Sequence, residues 1–391
     1  MLCWGTYDTG KPRTRILHEG LRAVGVSVRE QHAELWQGID DKSQLGTRRR
    51  ISLLLRWPAC YPRLVWRFLR GRRPDLVLVG YPGVLDLLLL APLARLRRVP
   101  IVWDMFMSVY DTVVLDRAML PAASLRARLL RWLEWVAVRL PRLVLLDTEA
   151  HARRIEQLFG LAPGRCGAVW VGAELERFRL AAAAPAAARA RGAPLRVLFY
   201  GQLIPVHGVE TIVRAARLTA DEEIEWTVIG LGQEATRVRR LLEEVPLPKL
   251  RWIAWVDYQD LRRWIAACDV CLGIFGTSPK AASVIPNKVF QAVAAGRPII
   301  TRDSPAIREL LAPAPPCVYL VPPGDAAALA EALREHARPG PSQTQCHAAL
   351  VDRIDAPAIG RQFLSAIELR LGGGPHAAGG VSEAERDHPG S

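Results

Sequence analysis

"FYGQLIPVHGVETIVRAARL", Phe199 to Leu218, runs an apolar strand into a glycine, a short loop into a second glycine, and then an amphipathic helix. A strand that turns through glycine onto a helix start aims backbone N–H groups and the positive end of the helix dipole at one place. That is where a phosphate binds. The loop carries Gln202 and His207 at positions where two full positive charges would serve a diphosphate. The unit is one step of a βαβ winding, so the flanking sequence should repeat the alternation.

It does so on both sides. Candidate strands before the loop are "MLCWGT", "VSVREQH", "DLVLVG", "PIVWDM", "LVLLDT" and "GAVWVG". From the loop onward they are "LRVLFYG", "IEWTVIG", "LRWIAWV", "DVCLGIF", "RPIIT" and "VYLVPPGD", with helical patterns between. "SLRARLLRWLEWVAVRL", Ser124 to Leu140, reads as a helix in which Leu125, Leu129, Trp132, Leu133 and Val136 recur at helical spacing. The reading is α/β, with two Rossmann-like doubly wound domains facing across a cleft. Residues 1–180 form the first domain, 181–195 an alanine-rich linker, and 196–354 the second domain. Residues 355–371 form a last helix, with Ile359, Phe363, Ile367 and Leu371 on one face, which crosses back to the first domain. Residues 372–391 are a low-complexity tail, expected to be disordered. Such folds bind nucleotides at the C-terminal ends of their strands, in the cleft.

The 391 residues suffice for two domains, and half of them are hydrophobic. Seven cysteines is an odd number, and no secretory leader precedes "LCWGTYDTG", so a reducing, cytoplasmic setting is expected. Cys268 and Cys271 form a Cys-x-x-Cys, but no second pair is spaced to complete a zinc site; they read as buried strand cysteines.

Charge is lopsided. Residues 1–180 hold 29 Lys and Arg against 17 Asp and Glu, a net of +12, whereas residues 181–391 hold 23 against 22. The densest stretch runs from Arg48 to Arg73, with Trp57, Tyr61, Trp66 and Phe68 interleaved. Arginine among aromatics and leucines suits an anionic membrane surface, with Trp57 and Trp66 as belt residues. A solvated helix face is the plainer alternative. Nucleic acid is set aside, because no nucleic-acid module accompanies the charge. Leu76 to Leu96 is long enough to span a bilayer, but Gly80, Pro82, Gly83, Asp86 and Pro92 interrupt it. It reads as strand, turn and helix, so the chain lies on a membrane rather than crossing one.

Four segments resemble the retaining glycosyltransferases of family 4, or group 1, which have the GT-B fold. "GQLIPVHG" is similar to their donor-phosphate loop Gly-Arg-Leu-x-x-x-Lys-Gly, and "IGLGQE" to the next glycine turn. "IPNKVFQAVAAGRPIIT" resembles the segment that grips nucleoside and sugar, and "VWVGAELERF" the close of the first domain. The resemblance implies donor ligands at Gly201, Gln202, His207, Gly208, Gly230, Gly232, Asn287 and Lys288, with Ser283 and Gln291 standing where the family has its Glu-x7-Glu pair. The four charged side chains of that pattern are thus absent. An amide at Gln291 can still bond a ribose diol, and His207 can be protonated beside a diphosphate. Lys288, Lys11 and Arg15 are candidate replacement cations.

On the acceptor side Asp104 ends a predicted strand and is the candidate catalytic residue, with a turn residue as its plainer reading. Asp111 and Asp116 follow in the loop. Asp147 and His151 read as helix-opening residues, and Glu309 as either an acid near the donor or a surface glutamate. The implied activity is transfer of a sugar, with retention, from a nucleotide-sugar donor to a lipid-linked or polysaccharide acceptor at the cytosolic membrane face. No Asp-x-Asp motif is present, so no metal and no cofactor are expected. A nucleotide-sugar epimerase and a catalytically silent membrane partner are the competing readings.

Overall fold

The computed structural model describes residues 1–36, 47–182, 192–338 and 347–371. The first sheet is built from β1 (Leu2–Gly5), β2 (Arg29–His32), β3 (Val77–Val79), β4 (Ile101–Phe106), β5 (Leu143–Leu146) and β6 (Cys166–Ala168). The second holds β7 (Leu195–Tyr200), β8 (Ile224–Ile229), β9 (Leu250–Ile253), β10 (Val270–Leu272), β11 (Ile299–Arg302) and β12 (Val318–Val321). Every pairing is parallel. Strands such as Leu143–Leu146 are buried throughout, because helices cover both faces of a parallel sheet.

Strand order is β2-β1-β3-β4-β5-β6 in one sheet and β12-β11-β10-β7-β8-β9 in the other. Each order reverses once, at β1/β3 and at β7/β10. Connections leave in opposite directions at a reversal, which opens a crevice beyond the strand ends. The Gly201–Gly208 loop leaves β7 at the second of these points.

Trp4, Phe68, Leu90 and Trp103 centre the first core; Phe199, Ile212, Trp226 and Phe275 lie in the second. Helix Ala356–Leu371 returns to the first domain, where Ile359 and Phe363 pack with Ile16, Leu17 and Leu21 of helix Pro12–Ala23. Its backbone touches that helix closely: a Cβ on Gly20 would sit 2.0 Å from the Ala356 carbonyl oxygen. Only glycine fits there.

The Leu76–Leu96 segment is strand β3, a turn and helix Val84–Leu96. Among the described residues no helix is long and apolar enough to cross a membrane. Cys268 and Cys271 are buried free thiols with their sulfurs 3.5 Å apart. Most of the linker and all of the tail, 183–191 and 372–391, lie outside the described residues, and Leu195, the last linker position, already begins β7.

Helix Leu125–Ala137 forms where the pattern placed it, capped by the Ser124 hydroxyl, but its apolar stripe does not face a core. Leu125 is 79% exposed, Leu129 56% and Trp132 57%. Ala127, Glu134 and Ala137 turn inward instead. The adjacent helix Val84–Leu96 also presents Leu85, Leu89 and Leu96 to solvent. Trp66 is exposed, whereas Trp57 is not a surface belt residue: its ring packs edge-on against Trp36 and its indole N–H donates to the Tyr61 hydroxyl.

Candidate active site

The β7 loop closes on itself tightly. After Gly201 a single 3-10 turn, Pro205–His207, leads to Gly208, whose φ of 61° is the left-handed bend that starts helix Val209–Leu218. The equivalent turn after β8 lies against it: a Cβ on Gly230 would be 1.9 Å from the Gly201 carbonyl oxygen. A Cβ on Gly232 would be 2.5 Å from the Leu203 carbonyl oxygen. The two glycine turns are thus one surface at the switch point.

Lys288 reaches that surface from the second position of helix Asn287–Ala294. Its ammonium stands 3.8 Å from the centroid of Phe199 and 3.1 Å from where a Gly201 Cβ would be. It is 95% buried, at 5% relative exposure, and has no hydrogen-bond partner among the described residues. Burial alone drives its pKa well below 10.5.

The His207 ring lies beside the same point, its Cε1 3.2 Å from where a Gly201 Cβ would be. Its Nδ1 meets the Gln202 carbonyl oxygen, which can only accept, so Nδ1 carries the hydrogen. Burial, and after it the charge on Lys288, holds the ring pKa well below 6.5. His207 is therefore neutral in the free protein, and its single N–H is committed to the Gln202 carbonyl.

Gln291 opens a hydrogen-bonded relay. Gln291 Nε2 donates to the Tyr258 hydroxyl at 3.2 Å, and that hydroxyl donates to Glu174 at 2.7 Å. Arg15 completes the relay, donating to both Glu174 oxygens at 3.1 and 3.2 Å. Arg15 is thus tied to the Gln291 end rather than to the Gly201–Gly208 loop. Lys11 is the N-cap of helix Pro12–Ala23, at the mouth of the first-domain loop. The Ser283 hydroxyl donates to the Lys280 carbonyl, and its own carbonyl accepts from Thr148. Asn287 opens its helix half-buried.

Asp104 is corrected by its partner. Both carboxylate oxygens accept from Arg13, at 2.8 Å and 3.0 Å from Nε, and both residues are buried. Arg13 also donates to the Val169 carbonyl at 2.6 Å. The strand end that promised a carboxylate in the cleft holds a closed ion pair that ties β4 to the first helix and to Val169.

The domains meet through side chains of which motif reading singled out only some. Glu309 accepts from the Glu149 and Ala150 N–H groups at 3.0 and 2.8 Å, so it caps a first-domain helix. Thr148 is that helix's N-cap; Asp147 instead pairs with the His151 ring at 2.6 Å. Asp116 accepts from Ser278 at 2.7 Å, and Lys280 donates to Thr112. Arg117 donates from Nη2 to the Gln202 side chain at 3.2 Å, while its carbonyl accepts from Gln233 at 2.7 Å. Arg117 and Lys280 belong to no motif read from the sequence; Arg117 ends the turn Asp111–Asp116 and Lys280 lies in helix Pro279–Ser283, each in a segment that follows a strand end. Among the described residues no cluster of three or more His, Cys, Asp or Glu could hold a metal ion.

Residues 194–338 match the family described as glycosyl transferases group 1, and residues 3–172 match the glycosyl transferase 4-like domain. Over 107 residues the chain is 28% identical to a probable glycosyltransferase, WbjE, of Pseudomonas aeruginosa. Over 144 residues it is 28% identical to a putative teichuronic acid biosynthesis glycosyltransferase, TuaH, of Bacillus subtilis. Those alignments take in 26% and 36% of this chain, and span only 25% and 35% of the relatives' own length. The fold matches that of Anabaena HepE solved with UDP, at a TM-score of 0.64 and 14% identity, covering 94% of this chain and 98% of that one. It also matches the lipopolysaccharide outer core galactosyltransferase WaaB, at a TM-score of 0.61 and 15% identity, covering 95% and 99%.

Proposed function

The chain belongs to the GT-B glycosyltransferases, with a 4-like domain followed by a group 1 domain, and we propose that it moves a sugar from a nucleotide-sugar donor to a lipid-linked or glycan acceptor. The reaction in this reading retains anomeric configuration and uses no metal. Lys288 carries the proposal. An ammonium buried without a partner is costly, and a fold keeps one where a ligand will pair with it. Its position beside the Gly201 turn suits the diphosphate of the donor, the group that becomes the leaving group. Gln291 and its Tyr258–Glu174–Arg15 relay would then meet the ribose, because the amide retains a second hydrogen and an acceptor oxygen.

The acceptor side of the proposal is an anionic membrane surface. The exposed Leu125, Leu129 and Trp132 lie on one helix with Arg126, Arg128 and Arg131, all exposed as well. Apolar side chains enter the headgroup boundary while guanidinium groups pair with lipid phosphates. The chain would thus work peripherally on the cytosolic leaflet, where lipid-linked acceptors are presented.

Release of nucleoside diphosphate from a panel of UDP- and GDP-sugars, with and without bacterial lipid extract, tests the assignment. Lipid-dependent release with a glycosylated lipid product is the expected result. Conversion of the donor sugar without lipid would identify an epimerase, and no turnover with any donor would sink the transferase reading.

A further inference from the structure

We propose that Arg117, carried by the first domain, supplies the donor diphosphate with the cation that the second domain's phosphate loop lacks at Gln202. The inference rests on the donor site proposed above. Arg117 is bound to both glycine turns at once, through its guanidinium to the Gln202 side chain and through its carbonyl to Gln233. Gln202 stands where the family loop has arginine, so the guanidinium reaches the loop from the opposite wall of the cleft. Lys288 lies beside the same bend, and the charges on Lys288 and Arg117 both act on the His207 ring.

The local fold is built to hold Arg117 there. Glu134 accepts from the Ser108 hydroxyl and from the Val109 and Tyr110 N–H groups, at 2.5, 2.6 and 3.1 Å. Those residues start a π-helical turn, Asp111–Asp116, and Arg117 caps it by donating its N–H to the Thr112 carbonyl at 2.9 Å. π turns are rare and concentrate at functional sites. Ala118, next in the chain, has a φ of 48°, a conformation that costs a non-glycine residue energy and persists where surrounding contacts enforce it. The neighbouring Asp116 accepts from the Ser278 hydroxyl of the second domain at 2.7 Å, a further tie between this segment and the opposite wall.

A cation delivered by the other domain has a consequence for catalysis. The phosphate loop carries its full charge only when the domains are together, so leaving-group stabilisation arrives with closure.

The test compares binding of UDP with uridine, and of GDP with guanosine, to wild type, Arg117→Gln, Gln202→Arg and the double variant. The diphosphate is the only difference within each pair. Arg117→Gln should weaken the nucleoside diphosphate about tenfold to hundredfold and leave the nucleoside unchanged, as loss of one charge-assisted contact requires. Gln202→Arg in the Arg117→Gln background should restore most of the loss. Equal weakening of nucleotide and nucleoside would make Arg117 a structural residue, and unchanged UDP and GDP binding would overturn the inference while the donor site stood. Wild type that binds neither nucleotide would overturn the donor site and the inference together.

Discussion

The Lys288 ammonium lies 3.8 Å from the centre of the Phe199 ring with no hydrogen-bond partner among the described residues. The aromatic face compensates part of the lost hydration, yet a buried cation on a ring keeps most of its desolvation cost. Stability and ligand binding are therefore opposed at this one side chain.

Lys288→Met should raise unfolding free energy on the order of 1–3 kcal/mol, since the methionine fills the same space without a polar atom to bury. The same variant should bind UDP or GDP at least about tenfold more weakly. Urea denaturation and calorimetry on one preparation measure both. A variant that loses stability as well as binding would make Lys288 a structural residue.

Asp104→Asn should destabilise the protein by about 3–5 kcal/mol, because it leaves Arg13 buried against a neutral side chain. The double change Arg13→Met, Asp104→Leu should recover most of that loss. If Asp104→Asn folds with wild-type stability and fails only in turnover, the carboxylate is catalytic after all.

Glu134 sets a pH dependence. Burial raises its carboxyl to about 7 despite the three bonds it accepts. Between the ordinary value of 4.5 and about 7 the folded chain binds more protons than the unfolded one, so this group's contribution to stability is full below that window and falls as pH rises through it. The decline should amount to a few kcal/mol by pH 8. Glu134→Gln should flatten that part of the profile relative to wild type in urea midpoints taken from pH 5 to 8. Parallel profiles would mean that Glu134 is ionised throughout.

Leu129→Glu with Trp132→Glu should leave stability within about 0.5 kcal/mol, since both side chains face solvent. It should abolish co-sedimentation with vesicles containing phosphatidylglycerol. Binding that survives the double change would place the membrane contact elsewhere on the basic domain.

Most of the strands were legible because they are short β-rich apolar runs between helices, the polar Arg29–His32 being the exception, and the Gly201–Gly208 loop because its glycines occupy positions that admit no side chain. Facing direction was not. Periodicity shows that Leu125, Leu129 and Trp132 share a side of their helix, but not that Ala127 and Ala137, small enough for close packing, take the inner side. Asp104 was misread for a related reason: Arg13 stands 91 residues away, and no spacing rule links a strand end to the first helix. Arg117 had no motif at all, since its role depends on two domains meeting across the cleft.

The most direct measurement is calorimetric titration of the folded wild-type protein with UDP and with GDP, first without metal and then with magnesium. The account predicts micromolar binding of one of them without metal. Absence of binding to both, in a sample with a cooperative unfolding transition, would contradict a working donor site and identify the chain as a silent partner.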